Sequence, residues 1–175
     1  YYGFSKVPNL QYDLLKILDP AKKKIILHPK SRGSAKEWGL DNFAELIQHL
    51  PSNQFQVFIS GTKQDAEQMP EFLANNTSAI NITGKLNLAE FIVFIANCDV
   101  LVAASTGPLH IAAALNKQSI GLFTSKRPMH PGRWAPLGAK AHYLVFDSEC
   151  EKCQKGEDCN CIQSISPQKI IELVA

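Results

Sequence analysis

Short apolar runs alternate with amphipathic stretches along most of this sequence, and that alternation constrains the fold more than any other feature. Runs rich in β-branched or aromatic residues predict buried strands at 25–27, 54–60, 78–82, 100–103, 119–123 and 142–146. Strands separated by helices form βαβ units, and the strands of such units are parallel. Because these crossovers are right-handed, the expected fold class is α/β, a doubly wound, Rossmann-like parallel sheet.

Helices are predicted between these strands. Apolar residues recur at helical spacing over 43–50, and Asp41 occupies the expected N-cap position. Further helices are predicted over 64–75 with a kink at Pro70, after a capping box of Asn87 and Glu90, over 107–115, and over 167–174. The proline-containing segment 124–140 is expected to be a long loop.

Length, composition and charge narrow the class of protein. The 175 residues predict one domain over 24–175, with 1–23 as a linker or N-terminal extension. A formal net charge of +2 gives no reason to expect a nucleic-acid partner. No apolar run is long enough for a transmembrane segment, and the start at Tyr1 has no signal-peptide pattern. We therefore expect a cytoplasmic location and a chain that is a piece of a longer protein.

The turn at 104–110 is the most specific candidate for a ligand-binding site. It joins a buried strand to a helix at the carboxyl end of the strand, where doubly wound sheets bind ligands. The free N–H groups and the dipole of that helix favour a phosphate, and a glycine lets the ligand approach the backbone closely. An ordinary capped helix with a histidine packed beside it is the alternative interpretation. The candidate residues of this turn are Ser105, Thr106, Gly107, Pro108 and His110.

Loops that follow other strands supply further candidates. The basic loop 28–38 offers hydroxyls and cations that suit a diphosphate, and Lys36 is the cation that we favour among them. Trp38 is expected to pack in the interior rather than to contact a ligand. Asp65 follows the next predicted strand, where a carboxylate either accepts hydrogen bonds from ribose hydroxyls or stabilises the start of a helix.

The five cysteines fall into two kinds. Cys98 stands alone in an apolar stretch and is expected to be a core residue. The other four form a cluster, Cys150-x-x-Cys153 followed by Cys159-x-Cys161. Four thiolates in such a cluster are a candidate site for a structural Zn²⁺, and reduced thiols or disulfides formed after purification are the alternatives. No catalytic metal or other cofactor is expected, since no histidine or carboxylate cluster accompanies the thiols.

At these loops the sequence resembles glycosyltransferase family 9, the lipopolysaccharide heptosyltransferases. The segment 103–115 is similar to the family's strand–loop–helix element with its Thr-Gly-Pro-x-His motif. The segment 34–38 is similar to the family's Lys-x-Trp segment, and 120–123 together with 133–138 resemble its next strand and loop. The clustered cysteines resemble a tail found in many members. The match extends from about residue 24 to the end of the chain.

The resemblance implies the C-terminal, nucleotide-sugar-binding half of a two-domain glycosyltransferase with the GT-B architecture. Ser105 stands where heptosyltransferases often carry aspartate, and this difference bears on the sugar of the donor. The family's catalytic carboxylate lies in the N-terminal half and matches no position here. By the same resemblance, the diphosphate would be surrounded by Lys36, Thr106, Gly107, Pro108 and His110. Asp65 would lie near the ribose, and the main chain of residues 84–86, which ends at Leu86, would meet the base.

The function implied by the resemblance is transfer of a sugar from a nucleotide-diphosphate donor, ADP-heptose or a similar compound. The acceptor would be of lipopolysaccharide type, a lipid-linked molecule or an oligosaccharide, and the reaction would invert the anomeric carbon. The other domain would hold that acceptor, with peripheral contact to the inner membrane. Two alternatives remain open: a nucleotide-sugar epimerase of the same architecture, and a non-catalytic nucleotide-binding module.

Overall fold

The computed structural model describes residues 13–175 and contains a six-stranded parallel sheet. The predicted doubly wound α/β fold is confirmed. The part of the predicted N-terminal extension that precedes residue 13 lies outside the described residues. The strands are β1 (Lys23–His28), β2 (Phe55–Ile59), β3 (Ile80–Asn81), β4 (Val100–Ala104), β5 (Gln118–Phe123) and β6 (Ala141–Val145).

Helices connect the strands, and within the described residues none is long and apolar enough to cross a membrane. They are α1 (Asp13–Lys16), α2 (Leu40–His49), α3 (Lys63–Glu67), α4 (Pro70–Asn75), α5 (Leu88–Ala96), α6 (Gly107–Ala114), α7 (Pro131–Trp134), α8 (Glu151–Gln154) and α9 (Pro167–Val174), with a 3-10 helix at Cys161–Ser164. The predicted capping box of Asn87 and Glu90 is confirmed at the start of α5. Ser166 caps α9 with its side chain.

Several predicted helix boundaries were wrong, and proline or glycine explains each difference. The kink expected at Pro70 is a complete break between α3 and α4, because proline fits the first turn of a helix but not its interior. Gly39 takes the N-cap position of α2 with φ 101°, a conformation that favours glycine, so Asp41 lies in the first turn instead. The segment 124–140 is not wholly loop, since α7 begins there with Pro131.

The sheet is covered on both faces by apolar side chains. Along β1, Ile25 and Leu27 join one hydrophobic cluster while Ile26 joins the other, as the alternation of side chains along a strand requires. Trp38 is completely buried, as predicted, and its indole N–H donates a 2.8 Å hydrogen bond to the Ile165 carbonyl. This bond ties the loop after β1 to the segment that precedes α9.

The strands lie in the order β3-β2-β1-β4-β5-β6, and this order changes direction between β1 and β4. From β1 the chain winds outward through β2 to β3, and it then returns to place β4 on the other side of β1. The loops that leave β1 and β4 therefore diverge, and a crevice opens between the carboxyl ends of these strands. Ligands of doubly wound proteins bind at such a point.

Candidate functional site

A cavity of about 330 Å³ occupies this crevice at the carboxyl edge of the sheet. Its lining has an apolar part and a polar part, which suits a ligand that combines a flat apolar group with hydroxylated and charged groups. The apolar part consists of Ile82, Leu86, Leu88 and Phe91. The polar part includes His28, Lys30, Ser31, Arg32, Ser34, Ser60, Thr62, Asp65 and Thr106.

The start of α6 contributes an open cradle to the cavity. A Cβ atom built on Gly107 has no atom within 4 Å apart from its chain neighbours and its own helix backbone, so no packing fills the space in front of this residue. Thr106 is the N-cap, and its buried Oγ1 has no hydrogen-bond partner in the described part of the chain. Pro108 has no N–H to offer this oxygen, and the Leu109 N–H bonds the Thr106 carbonyl instead. An unsatisfied hydroxyl, open space and a helix N-terminus together suit an anion.

The structure brings some of the predicted site residues together and separates others. Three predicted residues do not line the cavity: Lys36, Ser105 and His110. The ammonium of Lys36 instead forms an ion pair with Asp158, which lies between the clustered cysteines. This ion pair holds the pKa of the Asp158 carboxyl below its usual range. The predicted residues that do line the cavity are Asp65, Leu86, Thr106, Gly107 and Pro108.

Asp65 is almost completely buried at the edge of the cavity. Its carboxylate accepts hydrogen bonds from the N–H of Thr62 at 2.7 Å and from the hydroxyl of the same residue at 2.8 Å. The Thr62 hydroxyl in turn accepts from the Asp65 N–H, which completes a capping box at the start of α3. Asp65 therefore stabilises a helix start and presents a carboxylate to the cavity at the same time.

The cationic side chains that line the cavity are Lys30 and Arg32, whereas the sequence favoured Lys36. Lys30 forms a 2.6 Å ion pair with Glu37, and the same carboxylate accepts a 2.9 Å hydrogen bond from the Ser31 N–H. Arg32 bonds only the neutral amide of Gln64, at 3.2 Å, so no carboxylate offsets its charge within the described residues. Arg32 follows β1 more closely than Lys36 does, and this proximity to the strand end was the available signal.

His28 is the site residue that sequence reasoning missed. It ends β1, lines the cavity, and its Nδ1 lies 2.9 Å from the Ser60 Oγ. Its ring also stacks on Phe91 at a centroid distance of 6.2 Å. Burial lowers the pKa of His28 to about 4 despite the opposing effect of the Asp65 carboxylate, so the ring is neutral at physiological pH. Its place as the last residue of a strand at the ligand edge would have identified it.

The four clustered cysteines converge in space beside the same edge of the sheet. Their Sγ atoms all lie within 4.8 Å of one another, with Cys150 3.5 Å from Cys159 and Cys153 3.4 Å from Cys161. Zinc bound to four thiolates at about 2.3 Å would separate the sulfur atoms by about 3.8 Å. The thiolate donors and their spacing therefore fit a tetrahedral zinc ion.

The electrostatics of the cluster favour one ionised thiol. Burial opposes ionisation of Cys153, but hydrogen bonding by Thr124 at 3.3 Å and by neighbouring thiols lowers its pKa to about 6. Burial and the hydrogen bond to Cys153 raise the pKa of Cys161 to about 12. Cys98 is a buried core residue, as predicted, and desolvation raises its pKa to about 12.

The strand order and the position of the cavity define the class of protein, a doubly wound α/β domain with a cavity at its switch point. Comparison with known families is more specific. The model of glycosyltransferase family 9 (heptosyltransferase) matches residues 7–162. The chain belongs to glycosyltransferase family 9, as the resemblance in its loops predicted.

Individual relatives agree with this assignment. The chain is 31% identical over 149 residues to lipopolysaccharide heptosyltransferase 2 of Escherichia coli K12, a match that covers 80% of this chain and 42% of that protein. It is 34% identical over 131 residues to lipooligosaccharide heptosyltransferase 2 of Haemophilus ducreyi, which covers 71% of this chain and 37% of the relative. The chain thus spans less than half the length of these relatives.

Solved structures show the same architecture. The E. coli ADP-heptose lps heptosyltransferase II superposes with a TM-score of 0.74 at 26% identity, over 92% of this chain and 48% of that one. A family 9 glycosyl transferase from Veillonella parvula has the same fold, with a TM-score of 0.77 at 21% identity, over 93% of this chain and 48% of that one. The predicted likeness to one half of a GT-B glycosyltransferase is confirmed.

Proposed function

We propose that this chain is the donor-binding, C-terminal half of a glycosyltransferase, and that its cavity binds the nucleoside diphosphate of an activated sugar. The observation that carries the proposal is the start of α6, where Gly107 leaves open space and the Thr106 hydroxyl lacks a partner. Backbone N–H groups at a helix start and a free hydroxyl are donors that match phosphate oxygens. Membership of family 9 supports the same function.

The rest of the cavity accommodates the other parts of a nucleotide. Leu86 and Phe91 offer apolar surface to a base, and Asp65 offers a carboxylate to the ribose. Arg32 lies at the same cavity with an uncompensated charge. Lys36 reaches the diphosphate by exchanging its partner Asp158 for the ligand, since both are anions.

The chemistry that we propose follows from these groups. The bond between the anomeric carbon and the diphosphate oxygen breaks, and a bond from an acceptor hydroxyl oxygen to that carbon forms on the opposite face. Negative charge then grows on the diphosphate, where the start of α6 and the nearby cations stabilise it. The acceptor proton passes to a base that the other half of the enzyme supplies.

The names of the relatives support a particular donor and acceptor. The solved E. coli neighbour is named for ADP-heptose, and the curated relatives are named for lipopolysaccharide or lipooligosaccharide. We therefore propose ADP-heptose or a similar sugar nucleotide as donor and a lipopolysaccharide-type acceptor, bound by the other half at the cytoplasmic side of the inner membrane.

Calorimetry with ADP, UDP, GDP and the corresponding nucleosides tests this function. We expect the diphosphates to bind, with ADP strongest, and Lys36→Ala to weaken diphosphate binding about tenfold or more while nucleoside binding changes little. Lys22→Ala is a matched control, because Lys22 is as exposed as Lys36 (32% and 31%) and pairs with Asp19. Equal losses for both ligands would refute the phosphate role of Lys36. Absence of binding by every diphosphate would refute the proposed function.

We also propose that Cys150, Cys153, Cys159 and Cys161 hold a structural zinc ion. The convergence of their sulfur atoms supports this, as does the lowered pKa of Cys153, since thiolates are the form that binds metal. The ion would hold α8 and the 3-10 helix together and would fix the loop that carries Asp158. It takes no part in the transfer chemistry.

A further inference from the structure

The hydrogen bonds around His28 indicate which of its ring nitrogens carries the proton. The Ser60 Oγ lies 3.1 Å from the Leu27 carbonyl and donates its hydroxyl proton to it. With that single proton directed to the carbonyl, the same oxygen accepts the hydrogen bond from His28 Nδ1 at 2.9 Å. This arrangement favours the neutral imidazole with its proton on Nδ1, in which Nε2 carries a lone pair that can only accept.

The acceptor at Nε2 is free and accessible to a ligand. Within the described residues it makes no hydrogen bond, and it is not among the buried polar atoms that lack a partner. His28 lines the cavity, so this nitrogen meets whatever occupies it. The low pKa of the ring means that Nε2 does not become a donor near neutral pH.

The order of the strands indicates which part of a nucleotide lies there. The apolar lining follows β3, and the anion cradle follows β4. These strand ends are separated by three inter-strand spacings, about 14 Å. His28 ends β1, between them, where the sugar of an extended nucleoside diphosphate would lie. Phosphate oxygens are acceptors and would repel the Nε2 lone pair, whereas ribose hydroxyls are donors.

We propose that His28 Nε2 accepts a hydrogen bond from a ribose hydroxyl of the bound nucleoside diphosphate and so selects ribonucleotides over deoxyribonucleotides. The inference rests on the proposed nucleotide site. It adds to Asp65 a second acceptor, a neutral one, for the two hydroxyls of the sugar.

The test compares ADP with 2′-deoxy-ADP and 3′-deoxy-ADP by calorimetry. For the unmodified chain, at least one deoxy analogue should bind about tenfold more weakly than ADP. His28→Phe keeps a ring against Phe91 but removes the acceptor, and it should abolish that preference by weakening ADP about tenfold and the sensitive analogue hardly at all. His49→Phe is the matched control, since His49 is exposed on α2 and lies outside the cavity lining. It should keep the preference.

A second measurement does not depend on a variant. Nitrogen-15 spectra of histidine-labelled chain should show His28 protonated at Nδ1, with an Nε2 resonance that shifts on addition of ADP but much less with the sensitive deoxy analogue. A ring protonated at Nε2, equal binding of all three ligands, or an unchanged preference in His28→Phe would overturn the inference. Because ADP binds in the last two of these cases, the proposed function would survive them, whereas failure of ADP to bind would overturn both.

Discussion

Two glycines near the cavity differ in the space around them. Gly121 lies in the core of the sheet, where an added Cβ would come within 2.4 Å of the Phe123 ring and 2.9 Å of a Leu109 methyl. At Gly107 the same atom would meet nothing. Packing therefore explains Gly121, whereas Gly107 faces open space, where our proposal places the diphosphate.

This contrast gives a paired prediction for alanine substitutions. Gly121→Ala should lower the free energy of unfolding by about 1–3 kcal/mol through overpacking. Gly107→Ala should leave it unchanged or raise it by less than about 1 kcal/mol, yet should weaken nucleoside diphosphate binding at least tenfold. Denaturant unfolding and calorimetry measure the two effects. Unaltered diphosphate affinity in Gly107→Ala would contradict the cradle.

The unpartnered hydroxyl of Thr106 leads to a second prediction. Thr106→Val removes a buried hydroxyl that has no hydrogen bond, so the free energy of unfolding should stay the same or rise by about 1 kcal/mol, while diphosphate binding weakens. Ser119→Ala is the control, because the Ser119 hydroxyl is equally unpartnered but lies in β5 outside the cavity lining. It should leave binding unchanged, and a loss of affinity in both variants would point to a general effect on the fold.

At the scale of elements, the sequence predicted the strands well because apolar runs between turn residues are local signals. It also located the start of α6 from the pattern Thr106-Gly107-Pro108 alone. It could not show that Lys36 forms an ion pair with Asp158, which lies 122 residues away in the chain. No local pattern encodes such a contact. The sequence left two roles open for Asp65, a hydrogen-bond acceptor for ribose and a residue that stabilises a helix start. The structure shows that Asp65 stabilises the start of α3 and also lines the cavity.

The cysteine segment supplies the prediction at this scale. Protein purified without chelator should contain about one zinc ion per chain, and a strong chelator should lower the thermal midpoint because the segment loses its cross-link. Cys159→Ser should lose the metal, whereas Cys98→Ala should keep it, since Cys98 lies in the core away from the cluster. Absence of zinc together with four freely titrating thiols in the native chain would exclude the metal site.

At the scale of the whole molecule, strand order determines where chemistry can occur. The reversal between β1 and β4 opens one crevice, and the hydroxyls, cations and apolar surface of the cavity meet there because parallel strands share one carboxyl edge. The strand order could not be predicted from the sequence, because it depends on which non-adjacent strands pair. The chain spans 42% of the E. coli relative, so acceptor binding and the catalytic base are assigned in our proposal to the remainder of the enzyme.

Binding of a nucleoside diphosphate at the start of α6 is the proposal on which the others depend. A crystal structure of this chain with ADP would test this binding directly. We predict phosphate oxygens about 2.9 Å from the Gly107 N–H nitrogen and from Thr106 Oγ1. ADP bound elsewhere on the molecule, or bound with its diphosphate turned away from that helix start, would contradict the proposal.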